Sequence, residues 1–185
     1  RHFSNRDVPK KVIENIIKTA GSAPSGAHKQ PWTFCVISDA QLKSKIRKLA
    51  EKEEYENYHG RMSDSWKADL QHFGTDHIKE FLEVAPYLIV VFKKVFDLDK
   101  DKNKSQNYYV NESVGIAVGF LITAIHQAGL VTLTHTPSPM KFLQKALGRP
   151  KNEKAFLLLP VGYPAKDCKV PDLKRKNLDE ISFWF

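Results

Sequence analysis

The chain has 185 residues, 42% hydrophobic and 27% charged, a balance that suits one globular domain over residues 1–185 and excludes a disordered or collagen-like chain. A formal net charge of +8 favours anionic ligands of any kind. The lysine clusters at 93–94, 100–104 and 174–176 lack the regular aromatic interleaving of a base-stacking surface, so no nucleic-acid partner is expected.

Cys35 and Cys168 are the two cysteines, too few and too far apart for a disulfide framework or a metal-ligand spacing, and no metal is expected. Neither a secretory signal nor an apolar run of the ~20 residues that a bilayer requires is present, so the chain as given reads as soluble.

In chain order, Val8-Pro9 opens a helix with Pro9 in its first turn and Val12, Ile13, Ile16, Ile17 and Ala20 at helical spacing. It runs into the small-residue stretch Ala20-Gly21-Ser22-Ala23-Pro24-Ser25-Gly26-Ala27-His28. The apolar strand pattern of residues 33–37 follows. A loop without bulky side chains leaves its amide N–H groups free to face an anion or a flat ligand. Ser38 or Asp39 then caps a helix that carries Leu42, Ile46, Leu49 and Ala50, and whose far end is the charge run of residues 51–54 followed by Tyr55-Glu56-Asn57-Tyr58. By composition alone that run is a solvated helical face.

Residues 61–83 are polar with scattered Met62, Trp66, Leu70, Phe73, Ile78, Phe81 and Leu82, broken at Gly74. Two amphipathic helical pieces loosely tied to the core fit this pattern, which is the profile of a lid. Residues 87–92 read as a buried strand that Val95 extends, and 97–107 as a charged connector without pattern. Residues 111–128 are apolar nearly all round, with Gly115 and Gly119 permitting close packing. They predict a central helix, buried in part against a second subunit and ended by Gly129.

A strand over 130–134 leads to the polar turn Thr134-His135-Thr136-Pro137. A helix from Ser138-Pro139 to Leu147 stops at Gly148-Arg149-Pro150, and 155–162 is the last core strand. The aromatic end Ile181-Ser182-Phe183-Trp184-Phe185 is too apolar to hang in water and is expected to pack on this subunit or on a partner.

Several of these stretches, spread over nearly the whole chain, resemble the nitroreductase superfamily in its iodotyrosine deiodinase branch. They are Ser25-Gly26-Ala27-His28, the set Glu54, Tyr58 and Lys79, Thr134-His135-Thr136-Pro137, Leu147-Gly148-Arg149-Pro150, and Leu159-Pro160-Val161-Gly162-Tyr163-Pro164. The resemblance implies an α+β fold, a mixed sheet flanked by helices, in an intertwined homodimer with FMN in a cleft at each end of the interface. It also implies that a longer chain could carry a membrane anchor upstream of Arg1.

Carried over residue by residue, the resemblance puts Arg1, Pro24, Ser25, Gly26, Thr134, His135, Thr136 and Arg175 against the cofactor. Arg1 and Arg175 match the phosphate arginines, a role guanidinium groups suit chemically. By themselves both read equally well as solvated surface residues. Thr136 is the catalytic candidate, a hydroxyl near flavin N5 that favours one-electron steps, although a threonine before proline commonly just satisfies a turn. His135 stands where a small hydroxyl residue is expected and receives no chemical role.

Glu54 and Tyr58 lie four apart on one helical face. With Lys79 they offer a carboxylate, a phenol and an ammonium, a set suited to an amino-acid zwitterion: Glu54 for the α-ammonium, Tyr58 and Lys79 for the α-carboxylate. By resemblance these three are the halotyrosine site, and the Ala27 N–H meets the substrate phenolate.

The expected activity is FMN-dependent reductive dehalogenation of mono- and diiodotyrosine, with electrons ultimately from NADPH through a reductase. The alternative is a general flavin nitroreductase or quinone reductase that oxidises NAD(P)H directly and has no use for the zwitterion set. A basic non-enzymatic binding module is the third reading, which flavin uptake would exclude.

Overall fold

The computed structural model describes residues 1–101 and 103–185; Lys102, one of the 100–104 lysine cluster, lies outside the described residues. Strands β1 (Trp32–Ile37), β2 (Tyr87–Lys94), β5 (Val131–Thr132) and β6 (Glu153–Gly162) form a sheet in the order β1-β2-β6-β5. All three pairings are antiparallel, so the parallel component of the expected mixed sheet is absent from the single chain among the described residues. The β2–β6 register shifts between Val91 and Phe92, where Val91 faces Leu157 and Phe92 faces Ala155.

Each face of the sheet is covered by helices, and this explains why the middle strands read as continuous apolar runs rather than as alternations. Ile89, Val91, Leu157, Leu159 and Val161 point into a core closed by α1 (Lys10–Gly21) and α5 (Val110–Gln127). Leu88, Val90, Phe92 and Leu158 point into a second core. It is closed by Ile46 and Ala50 of α2 (Ala40–Glu56), Phe81 and Leu82 of α4 (Phe81–Val84) and Leu143 of α6 (Lys141–Ala146).

Asp39 caps α2 by accepting from the Leu42 N–H at 2.7 Å. The helix then widens into a π turn over Asn57–Arg61 that the Met62 N–H closes onto the Asn57 carbonyl.

Several elements differ from their sequence reading. Pro9 occupies the N-cap of α1 rather than its first turn. The supposed connector after β2 contains a hairpin of β3 (Phe96–Leu98) and β4 (Lys104–Gln106), whose loop Asp99 organises by accepting from the N–H groups of Asp101 and Asn103. Val95 is not part of β2. The second half of the lid folds as the short α4, after α3 (Asp64–Gln71) and an irregular stretch that includes Gly74 at φ +54°.

The strand expected over 130–134 shrinks to β5, because Leu133 and Thr134 leave the sheet before His135 pairs with Leu158 through an isolated bridge. The helix after Ser138-Pro139 starts only at Lys141, whereas β6 starts at Glu153, ahead of the expected Ala155. Past α7 (Leu178–Ile181) the aromatic end finds no cover on its own chain, with Phe183 82% and Trp184 86% exposed.

The Leu147-Gly148-Arg149-Pro150 turn is bound to the sheet by a buried carboxylate. Glu153 accepts from Arg149 Nε at 2.7 Å and Nη2 at 2.9 Å, and from Thr33 Oγ1 at 2.8 Å. Burial acts to raise its pKa, but the hydrogen bonds from Arg149 and Thr33 outweigh it and hold Glu153 below the usual carboxylate range. Glu153→Ala should therefore destabilise the fold by about 2 kcal/mol in urea unfolding. A carboxylate with a depressed folded pKa contributes above its unfolded pKa and loses that contribution as pH falls through the folded one. The difference between wild type and variant should thus shrink in acid; a pH-independent difference would contradict the ion-pair account.

Candidate functional site

The loop between α1 and β1 is held in a conformation that side chains resist. Ala27, His28 and Gln30 adopt φ values of 48°, 53° and 47°, three left-handed non-glycine residues within four positions. Ser25 supports them: its carbonyl accepts from the His28 N–H and its Oγ accepts from the Gln30 N–H at 2.9 Å. The Gly26 N–H donates to Ser113 Oγ of α5 at 3.1 Å. Residue 26 must be glycine, since a Cβ there would stand 2.7 Å from the Tyr108 carbonyl oxygen and 3.1 Å from the Tyr109 ring. Pro24 and Ala27 remain exposed, and among the described residues no acceptor meets the Ala27 N–H. The result is a rigid small-residue rim with a free backbone donor.

A second group of residues gathers where α2 ends. Glu54 and Lys79 are both buried, with Oε2 3.5 Å from Nζ. Burial pushes the Glu54 carboxyl up and the Lys79 ammonium down, each partly restored by the charge of the other. Tyr58, on the π turn, donates through its hydroxyl to the Thr75 carbonyl at 3.2 Å, and burial raises its pKa. Lys79 Nζ also donates to Thr75 Oγ1 at 3.2 Å and to the Asp76 carbonyl. Glu51 Oε1 accepts from the Lys79 N–H at 2.8 Å, pinning its backbone to α2. The structure therefore brings Glu54, Tyr58 and Lys79 together, with the segment that follows Gly74 laid across them.

The Thr134–Thr136 turn leaves the sheet beside this group. His135 exchanges backbone hydrogen bonds with Leu158 at 2.9 and 3.0 Å and buries its ring edge-on to Phe81, centroids 5.9 Å apart. Its Nε2 is buried without a partner among the described residues, and burial, aided by the Lys79 charge, drops its pKa to about 3. The ring is neutral at physiological pH. Thr134 and Thr136 flank it with exposed side chains.

Asn57, which the sequence reading left without a role, is buried between the groups and donates from Nδ2 to the Ser138 carbonyl at 2.9 Å. Its one sequence signal was its position on the Glu54 face of the helix, three residues on.

Other expected residues lie apart. Arg1 donates to the carbonyls of Gly74, at 3.0 Å, and Phe73, which places its guanidinium at the lid. Arg175 lies in an exposed extended stretch, where its one side-chain hydrogen bond among the described residues is a 3.4 Å contact with the Leu173 carbonyl. Among the described residues, no hydrogen bond joins the Ser25–Ala27 loop to the Glu54 group.

These donors fit FMN: a backbone rim closed to side chains for a flat ring, an unmet amide, exposed hydroxyls at Thr134 and Thr136, and a buried imidazole nitrogen awaiting a polar neighbour. Arg1, held at the lid by the Gly74 and Phe73 carbonyls, and the exposed Arg175 carry guanidinium groups, whose chemistry suits a phosphate.

Comparison with known proteins agrees with this chemistry. The nitroreductase family model matches residues 1–163. Iodotyrosine deiodinase of Haliscomenobacter hydrossis is 68% identical over 177 residues, covering 96% of this chain and 80% of that protein. The Hydra vulgaris iodotyrosine deiodinase is 52% identical over 186 residues, covering all of this chain and 68% of the relative. The crystal structure of an oxidised iodotyrosine deiodinase bound to FMN and 3-iodo-L-tyrosine superimposes with a TM-score of 0.85 at 29% identity, over all of this chain and 94% of that one. With the same fold over its full length and this extent of identity, the chain belongs to the nitroreductase family, among the iodotyrosine deiodinases.

Proposed function

We propose that this protein is an FMN-dependent reductive dehalogenase that removes iodide from mono- and diiodotyrosine. The observation that carries the reading is the buried Glu54–Lys79 pair with Tyr58 beside it. A zwitterion can insert there by exchanging one internal ion pair for two, Glu54 with the α-ammonium and Lys79 with the α-carboxylate, while the Tyr58 hydroxyl turns from Thr75 to the carboxylate. Neither charge is then stranded in a buried site.

Tethered at its amino-acid end, the ligand lays its phenol ring along the Ser25–Ala27 rim, where the Ala27 N–H donates to the phenolate oxygen. Bound FMN supplies the two electrons of the net reaction, in which the carbon–iodine bond breaks, iodide leaves with the bond pair, and a proton takes its place on the ring to give tyrosine. Pro24, Ser25, Gly26, Thr134, His135 and Thr136 hold the isoalloxazine, with the Thr136 hydroxyl donating at flavin N5, and Arg1 and Arg175 hold the phosphate. Closure of the segment ending at Lys79 excludes water from the ring. The electrons come ultimately from NADPH through a reductase.

We further propose that the active form is a homodimer. Ile116 and Phe120 leave α5 with an exposed apolar face, at 44% and 40%, lined by Gly115 and Gly119, and the aromatic C-terminal residues lie uncovered. These surfaces suit a second copy of the chain, with the terminal arm laid over the partner.

Dithionite-reduced holoenzyme mixed with 3-iodotyrosine should release tyrosine and iodide in equal amounts; reoxidation by nitroaromatics with no halotyrosine turnover would defeat the assignment. Glu54→Gln leaves Lys79 buried without its counter-charge and the ligand ammonium without a partner. A pair broken in this way costs about 3 kcal/mol, so 3-iodotyrosine affinity should fall roughly a hundredfold while FMN stays bound. Deleting residues 176–185 should lower both the dimer fraction in sedimentation and the flavin content, because a ligand that binds the assembled state is lost with it. A truncated protein that remains a fully flavinated dimer would show that the arm is dispensable.

A further inference from the structure

The amide of Asn57 joins the π turn that carries Tyr58 to Ser138, just beyond the Thr134–Thr136 turn. Asn57 stands three residues after Glu54, one before Tyr58, and at the start of the π turn whose closing bond its own carbonyl accepts from Met62. Its side chain is fixed at both ends. Oδ1 accepts from Arg61 Nη1 at 3.3 Å, and Nδ2 donates to the Ser138 carbonyl at 2.9 Å.

Ser138 lies two residues beyond Thr136 and is held back on it by the Ser138 N–H, which donates to the Thr136 carbonyl at 2.7 Å. A shift of the π turn when a ligand engages Glu54 and Tyr58 would therefore reach the backbone that carries Thr136 through the part-buried Asn57–Ser138 hydrogen bond. Without that bond the Ser138 carbonyl would lose its partner among the described residues, and the turn would be placed by the His135–Leu158 bridge and the packing of the His135 ring on Phe81.

We propose that Asn57 is a positioning residue that couples halotyrosine occupancy of the Glu54–Tyr58–Lys79 group to the placement of the Thr136 hydroxyl at the cofactor. The inference rests on the deiodinase reading and adds to it a route by which substrate binding tunes electron transfer. Because coupling of this kind is reciprocal, a ligand that moves the turn must shift the flavin potentials, and cutting the link must remove that shift while sparing the binding contacts themselves.

The test uses FMN-loaded wild type and Asn57→Ala. Binding of 3-iodotyrosine is measured by flavin fluorescence. The gap between the two successive one-electron midpoint potentials is measured with and without 3-fluorotyrosine, whose carbon–halogen bond is too strong to be reduced under these conditions. Wild type should show a ligand-dependent gap.

In Asn57→Ala the FMN content and 3-iodotyrosine Kd should stay close to wild type, with the melting temperature lowered by only about 2–4 °C, while the ligand-dependent change in the gap falls by about half or more. The kcat should fall about fivefold with little change in KM, as loss of one part-buried hydrogen bond implies. Should Asn57→Ala not fold, Asn57→Ser, whose hydroxyl cannot span to Ser138, is read in the same way.

A gap that the ligand leaves unchanged in wild type, or changes equally in the variant, overturns the inference. So does a parallel loss of FMN, melting temperature and ligand affinity, which marks a merely structural role. Wild-type protein that binds no 3-iodotyrosine at all overturns the deiodinase reading, and this inference with it.

Discussion

The pairing of β2 with β6 is the constraint on which the rest of the structure depends. Both strands are buried on both faces, from Leu88 to Phe92 and from Leu157 to Val161, so any shift of one relative to the other would exchange residues between two closed cores. That register places the ends of every covering helix. It sets α2 over the Leu88, Val90 and Leu158 face, where Ile46 and Ala50 pack and Glu54 follows one turn later. It also brings His135 to Leu158, and so aims the Thr134–Thr136 turn at the place where α2 ends. The polar site is built where the apolar stripe of α2 gives way to Glu54.

The site itself is governed by burial of charge. Glu54 and Lys79 are both buried, and their mutual attraction only partly offsets the desolvation that raises the Glu54 pKa and lowers the Lys79 pKa, while Thr75 and Asp76 accept hydrogen bonds from the ammonium. The same enclosure keeps His135 neutral, so that no second positive charge competes with Lys79 in the unliganded protein. A neutral imidazole beside a cationic lysine is electrostatically the quieter arrangement, and it follows chiefly from depth in the fold, aided by the Lys79 charge itself.

Much of the scaffold was legible in the sequence because its elements are periodic. Ile13, Ile16 and Ala20 marked α1, Ile46 and Ala50 marked α2, and the unbroken apolar runs marked β2 and β6 as strands covered on two sides. The β3–β4 hairpin was not legible: Lys104, Ser105 and Gln106 show no alternation, and the loop is organised by Asp99 accepting backbone hydrogen bonds, which composition does not reveal. Spacing could place Glu54 and Tyr58 on one face, but the approach of Lys79 from 25 residues away is a tertiary event that the family resemblance supplied. Asn57 escaped both routes, since its partner is a backbone carbonyl and no sequence pattern names a carbonyl.

The self-paired state of Glu54 and Lys79 also bears on which iodinated phenols can compete for the site. A ligand that breaks the pair must satisfy both members. An iodophenol without an amino-acid end brings no charges, and a deaminated analogue would neutralise Lys79 yet leave the Glu54 carboxylate facing nothing. Iodotyrosine inside a polypeptide has neither a free ammonium nor a free carboxylate at its α-carbon, so it too would open the pair without replacing it. Under the proposed reading the closed pair would act as a filter for the free amino acid, admitting a ligand that replaces both halves of the pair it opens.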